Sequence, residues 1–440
     1  MKKAYIHTFG CQMNEYDSSM ILASLETIGY GKAESLEEAD CIIVNTCSVR
    51  DKADQKVYSL LGRLKQYKRN KGAIIALAGC LAQQIGNSVF KRVPYVDILI
   101  GTHNLEKLPD LIRLVEVGES RLVELDMCDT RPSIMRDQFL EEGKIKAFVT
   151  IMQGCNNFCT YCIVPLVRGR EFSRPQAEII REIRTLASRG IKEITLLGQN
   201  VNTYGKGRGD STFPKLLSKV SAIDGIERIR FVTSHPKDFS DELIETLARG
   251  NKVCPHVHLP AQSGSDSVLN RMGRGYTRRN YLSLIETLKE SVPQVSISSD
   301  FIVGFPGERE RDFQDTLSLI EDVAFDNSFS FMFSPRPETP AASMDGQITL
   351  RVRKKRLKEL QALQKKITIR NYRKYLGGVW EVLVEGKSKT DDNKVTGRTR
   401  GNVVVNFTSE RVERGRIVPV FIEESFTNSL SGKENNGGSS

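Results

Sequence analysis

GCNNFCTYCIVPLVRGR, residues 154–170, follows an apolar run at 147–152 that reads as a β-strand. It sets Cys155, Cys159 and Cys162 at Cx3Cx2C spacing in one short loop. Three thiolates crowded together suit three corners of an iron–sulfur cube, for which four cysteines are the usual complement. With three, one iron keeps an open position, which a catalytic metal needs and a structural one avoids. A zinc knuckle or a disulfide pair is the bland alternative. Zinc wants a fourth ligand at local spacing, and no His or Cys follows Cys162 until His235. A disulfide fits poorly with the reducing compartment expected below.

Outward from this loop the chain alternates strand and helix. Strands are expected at 146–152, 192–197, 228–233, 255–260, 295–303 and 328–333, and helices at 175–189, 213–222, 240–249, 278–291 and 310–323. Six repeats are too few for a closed eight-fold barrel, so the pattern predicts a partial (β/α)6 barrel over 146–350. Its chemistry belongs at the C-terminal ends of the strands, where the cysteine loop falls. Two further strand ends, LGQN at 197–200 and DFIVG at 300–304, offer Gly198, Gln199, Asn200, Asp300 and Gly304 as cofactor contacts. Simple turn chemistry accounts for each of them equally well. Cys254, His256 and His258 alternate onto one strand face, and lining the barrel interior explains them better than a metal site lacking a fourth ligand.

Residues 1–118 carry the same alternation, with strands at 4–9, 41–45, 73–78 and 96–100 and helices at 18–28 and 53–64. This predicts a doubly wound parallel sheet. Three of its strands run into cysteines, YIHTFGC to Cys11, CIIVNTC to Cys47 and IIALAGC to Cys80. Ligands of open α/β sheets sit outside the carboxyl ends of the strands, so these three thiols should converge on one rim as a second three-cysteine metal site. Coincidence is the competing account, because free cysteine often serves as a small buried apolar residue. Cys41 and Cys128 are read in that way. Residues 119–145, with no clear periodicity, read as a linker.

The formal charge of +10 is concentrated. Residues 351–375 carry eleven Lys or Arg and one acid, Glu359, so the rest of the chain sums to zero. A basic segment on a neutral body points to a polyanion, most plausibly nucleic acid, and Lys354, Lys355 and Arg356 are the candidate contacts. The same segment, read as a connecting helix over 351–371, has an apolar stripe in Leu357, Leu360, Leu363 and Ile367, so a solvated helix face is a second reading that holds alongside the first. Over 372–427 short strands with Gly-bearing turns predict a small all-β barrel, with Arg398 and Arg400 in one turn as RNA contacts. Residues 428–440, NSLSGKENNGGSS, read as a disordered tail. The start, MKKAYIHTFGCQM, has no sustained apolar segment and the longest apolar run, 73–82, is too short for a bilayer, which predicts a cytoplasmic protein without a membrane partner.

The aromatic residue Tyr161 before the third cysteine completes Cx3Cx-aromatic-C, which resembles the radical S-adenosylmethionine (SAM) superfamily. Taken with the domain order, the chain is similar to the methylthiotransferase family of that superfamily, over nearly its whole length to about residue 426. FGCQMNEYDS, NTCSVRDKADQKVYSLLGRL, SSDFIVGFPGE and GRTRGNVVVNF look like the branch that acts on tRNA. The resemblance implies a radical SAM barrel between an N-terminal three-cysteine domain and a C-terminal TRAM RNA-binding domain. It implies two 4Fe-4S clusters, one on Cys155, Cys159 and Cys162 that cleaves SAM to a radical, and an auxiliary one on Cys11, Cys47 and Cys80 that carries the sulfur. A second SAM gives the methyl group. The substrate implied is tRNA carrying N6-dimethylallyladenosine next to the anticodon, modified at C2, with an electron donor such as flavodoxin or ferredoxin. Two positions depart from relatives. Leu166-Val167 stand where Tyr-Thr is usual, and Glu338 in SPRPETP replaces a usual glycine. Rival readings are action on threonylcarbamoyl adenosine or on a ribosomal protein, and a non-catalytic iron–sulfur RNA-binding protein.

Overall fold

A computed structural model describes residues 1–48, 51–127, 139–206, 211–250, 252–389 and 391–435, without the side chains of 51–54. Cys128 lies outside the described residues. The first domain is a six-stranded parallel sheet. Its spatial order is Tyr30–Lys32, Lys2–Thr8, Cys41–Thr46, Ile74–Gly79, Ile98–Ile100 and Leu122–Glu124. Alternate residues of the central strands enter two separate cores. Ile42, Val44, Ile75 and Leu77 pack on one face, and Ile43, Ala76, Ala78 and Cys41 on the other. Burial on both faces is what makes these strands continuous apolar runs. Strand order reverses between Lys2–Thr8 and Cys41–Thr46, and Cys11 and Cys47 follow those two strands directly, at the crevice such a reversal opens. The sixth strand corrects the reading of 119–145 as linker throughout. LVE is too short to show a period, yet its backbone pairs with Ile98–Ile100.

Six parallel strands form the second domain: Lys146–Thr150, Glu193–Leu197, Arg228–Phe231, His256–His258, Ser296–Val303 and Asn327–Met332. They pair as two groups of three, joined by a parallel bridge between Ile229 and Val253. Among the described residues no pairing joins the first strand to the last, so the barrel is open as expected. Helices Gln176–Ser188, Phe213–Ser221, Asp241–Ala248, Arg278–Ser291 and Glu310–Val323 cover it. The basic helix, Leu350–Tyr372, is the sixth of this set and not a mere connector. Leu360 and Ile367 join the barrel core, with Leu357 and Leu363 packed against it. On the open side Met13 and Tyr16, from the helix Gln12–Glu26, pack on Leu197 beside Phe148 and Val232. No described helix is long and apolar enough to cross a membrane.

The third domain is a closed five-stranded barrel over Val379–Lys387, Val395–Thr399, Val404–Thr408, Leu430–Glu434 and Ile417–Ser425. Its fourth strand overturns the reading of 428–440 as tail. Leu430 is fully buried among Val405, Phe407 and Ile422. LSGKE pairs on both sides, and at Gly432 a Cβ would lie 2.0 Å from the Phe421 carbonyl. Low-complexity composition hid a strand that is paired on both sides through its backbone.

Candidate active site between two cysteine triads

Cys11 caps the helix Gln12–Glu26, its carbonyl accepting from the N–H groups of Asn14 and Glu15. Gly10, at φ +117°, lets this turn press onto Cys47, where a Cβ would fall 2.4 Å from the Cys47 Cβ. Asn14, wholly buried, ties the strand ends together. Its Nδ2 donates to the carbonyls of Phe9 (3.0 Å) and Thr46 (2.8 Å). The Cys11 thiol is drawn down to about 6, foremost by the hydrogen bond from Cys47 and further by the charge of Arg168 and the Asn14 and Met13 N–H groups. Cys80 is buried, which pushes its thiol up.

The second triad hangs from a loop that closes on itself. Gly154, at φ +77°, brings its Cα so near the Arg170 carbonyl that a Cβ would lie 2.0 Å away. The Gly154 N–H donates to Gln199 Oε1 (2.6 Å) and the Cys155 N–H to the Gly169 carbonyl (3.2 Å). Arg274 is buried and donates from Nη1 to Cys159 Sγ (3.5 Å), from Nη2 to the Pro260 carbonyl (2.9 Å) and from Nε to Tyr276 Oη (3.2 Å). Burial raises the thiol of Cys155 and pushes that of Cys162 up to about 12, with the charge of Cys159 adding to it. Among the described residues no three Cys, His or carboxylate groups close on a single ion.

Arg168 joins the two triads. It ends the short helix Val164–Arg168 just after Cys162, is 3% exposed, and reaches Cys80 Sγ from Nε (3.3 Å), Asp17 Oδ2 (2.7 Å) and Asn14 Oδ1 (3.2 Å) from Nη2. Cys80, Ile163 and Val167 pack as one cluster. Beside Cys159 and Cys162 lies a cavity of about 580 Å³, walled by His103 and Met127 of the first domain and by Phe158, Leu166, Phe172 and Glu338. Phe158, Leu166 and Met127 leave apolar surface exposed there.

The structure sets Cys11 against Cys47, places Cys80 on Arg168, and puts Cys159 and Cys162 in the wall of one cavity; the finer candidates scatter. None of the five residues picked as cofactor contacts lines that cavity. Gly198 packs on Met152, and Gln199 holds the cysteine loop. Asn200 is buried, bonded to Asp238 and the His235 N–H. Gly304 donates to the Glu308 carboxylate. Asp300 is part-exposed beside His258, 3.4 Å away. Lys354 and Lys355 are exposed, but Arg356 is buried against Glu308 (2.7 Å), which corrects its reading as an RNA contact. Arg398 pairs with Glu385 (3.2 Å) inside its own small barrel, while Arg400 donates across to the Val253 carbonyl of the second domain (3.0 Å). Cys254 is buried and His256 faces a cavity inside the barrel, as lining residues do. Asn14, Asp17, Arg168 and Arg274 escaped the sequence reading. Only the RGR after the cysteine loop hinted at them.

Residues 3–101 match the uncharacterized protein family UPF0004, 149–320 the radical SAM superfamily and 373–433 the TRAM domain. The fold is shared with the radical SAM methyltransferase TsrM from Kitasatospora setae, at TM-score 0.59 and 13% identity over 78% of this chain and 75% of that one. It is shared too with the cobalamin-dependent radical SAM enzyme OxsB, at TM-score 0.53 and 12% identity over 83% of this chain and 56% of that one. Fold and cysteine loop together define a radical SAM enzyme. Sequence relatives narrow the class. Proteins from Geobacter metallireducens (50% identical, 98% of both chains) and Syntrophotalea carbinolica (47%, covering 98% of this chain and all of that one) are each named tRNA-2-methylthio-N(6)-dimethylallyladenosine synthase. The chain belongs to this synthase family.

Proposed function

We propose that this protein replaces the C2 hydrogen of N6-dimethylallyladenosine, on the 3′ side of the tRNA anticodon, by a methylthio group. The observation that carries the reading is 50% identity over 98% of both chains with a synthase named for that product. The chemistry agrees. C2 of adenine is an unactivated C–H position with no leaving group, and radical chemistry of this kind is supplied by cofactors that the protein orients and shields. When bound, a 4Fe-4S cluster on Cys155, Cys159 and Cys162 supplies the electron that cleaves SAM, and one on Cys11, Cys47 and Cys80 holds the sulfur, with a second SAM as methyl donor.

The chain's own residues do the positioning. Gly154 and Gln199 fix the loop, and Arg274 holds a positive charge against Cys159. Phe158, Leu166 and Met127 give the cavity an apolar wall that the dimethylallyl group of the base would cover. The exposed Lys354 and Lys355 face solvent on the basic helix and suit tRNA phosphates. A one-electron protein of flavodoxin or ferredoxin type serves as donor.

The test is anaerobic reconstitution with iron and sulfide, then SAM, dithionite and tRNA lacking the modification, with nucleosides read by mass spectrometry. Methylthiolated N6-dimethylallyladenosine is expected. Deoxyadenosine release with the group on threonylcarbamoyl adenosine or a ribosomal protein would overturn the substrate and leave the class. For the RNA surface, changing Lys354 and Lys355 to Ala should make the slope of log affinity against log salt shallower by about 1.4 to 1.8 units, from about 0.7 to 0.9 per phosphate contact. An unchanged slope in a folded variant moves the RNA elsewhere.

A further inference from the structure

Arg168 belongs by sequence to the loop of one triad and by contact to the other. Its Nε donates to Cys80 Sγ, and Nη2 is taken by Asp17 and Asn14. The remaining nitrogen, Nη1, is buried with no hydrogen-bond partner among the described residues. A buried guanidinium N–H left unmade costs free energy unless something accepts from it. The atoms within reach of this site that are absent from the chain itself are those of the group held by Cys11, Cys47 and Cys80, whose sulfurs are acceptors. Asp17, itself buried, pairs with Arg168 at 2.7 Å and offsets much of its charge.

We propose that Arg168 is a positioning residue that donates hydrogen bonds to the sulfur atoms of the auxiliary cluster, so that a residue of the radical domain sets that cluster's reduction potential, with Asp17 as its counterweight. This rests on the reading of the N-terminal triad as a cluster site. Hydrogen bonds to cluster sulfurs and net charge nearby are the levers by which a protein moves such a potential. Donors and positive charge favour the reduced, more negative state, so their loss lowers the potential. Removing the Asp17 charge alone must act the other way. Two neighbouring substitutions in one ion pair therefore have opposite signs, which a purely structural ion pair would not give.

The experiment uses the full chain with Cys155, Cys159 and Cys162 changed to Ala, so that only the auxiliary site loads. Iron and sulfide are counted after anaerobic reconstitution, and the midpoint potential is followed by EPR. Arg168→Gln should shift the one-electron equilibrium tenfold or more toward the oxidised cluster, 59 mV by the one-electron relation. Arg168→Lys should fall between, and Asp17→Asn should shift it toward the reduced cluster. If Arg168→Gln does not retain iron, the sign of the Asp17→Asn shift decides. Unchanged potentials at equal iron content, or shifts of the same sign, overturn the proposal. A background variant that binds no iron overturns instead the cluster reading on which it stands.

Discussion

The two triads reach similar ends by opposite routes. Cys155, Cys159 and Cys162 come from one loop, closed by Gly154 over Arg170 and held by Gln199. Cys11, Cys47 and Cys80 come from three strand ends, brought together by topology and pinned by Asn14. Each is backed by one buried arginine, but the charges differ. Arg168 is paired with Asp17, whereas Arg274 meets a tyrosine hydroxyl, a carbonyl and a thiol, and no carboxylate among the described residues. A compensated charge suits a site that stores a group, and an uncompensated one suits a site that must accept an electron at low cost.

The sharpest way to break this contrast is to empty one triad at a time. Changing Cys155, Cys159 and Cys162 to Ala should reduce both 5′-deoxyadenosine and methylthiolated tRNA to nothing. Changing Cys11, Cys47 and Cys80 should leave 5′-deoxyadenosine measurable while product disappears. Product made at the normal rate by the second variant would make the rim triad structural. A smaller effect tests the charges. Arg274→Gln should slow 5′-deoxyadenosine formation tenfold or more at equal iron content, with Arg274→Lys restoring part of the rate; equal rates would show that its charge does not act there.

Acid should separate the two sides. Burial, reinforced by Arg274, lowers the His235 imidazole to about 2, and burial with Arg230 lowers His256 to about 3. Both are neutral when folded but take up protons near pH 6.5 when unfolded. Their stabilisation is complete above pH 6.5 and is lost as pH falls from there toward 3, by about 1.4 kcal/mol per pH unit for each. The first sheet holds the half-buried His7, also lowered by burial. Hydrogen-exchange protection factors at pH 7 and 5 should fall further across 228–260 than across 2–46, and parallel losses would remove the asymmetry. The smallest effect is at the cavity wall. Glu338 adopts φ +67°, a left-handed conformation that costs a side chain free energy. Glu338→Gly should raise stability by about 0.5 to 1 kcal/mol in urea unfolding; a decrease would mean that the carboxylate makes up for the strain.

What the sequence disclosed follows the same division. The loop triad was legible because its chemistry is local, and the barrel because six apolar runs alternate with amphipathic helices. The rim triad was legible through a rule about strand ends. What stayed hidden depends on contacts distant in sequence. Arg168 meets Asp17 across two domains, and Arg356 turns inward because Glu308 waits for it. The strands Leu122–Glu124 and Leu430–Glu434 are held by backbone pairing that composition does not encode. Cofactor contacts were the weakest expectation, since turn residues such as Asn200 and Gly304 satisfy their own neighbours.

At the opposite end of the open barrel, Arg228 and Arg230 leave its strands and donate to the carbonyls of Arg398 (2.6 Å), Arg400 (2.8 Å) and Thr399 (2.9 Å) in one turn of the small β-barrel. Both arginines are buried, and Arg230 is locked by Glu193 at 2.9 Å. Groups so desolvated cannot let go without leaving charges stranded. The joint is a weld, not a swivel. The span from the small barrel to the cysteine rims is thereby set by this joint, as the opening of a caliper is set by its screw.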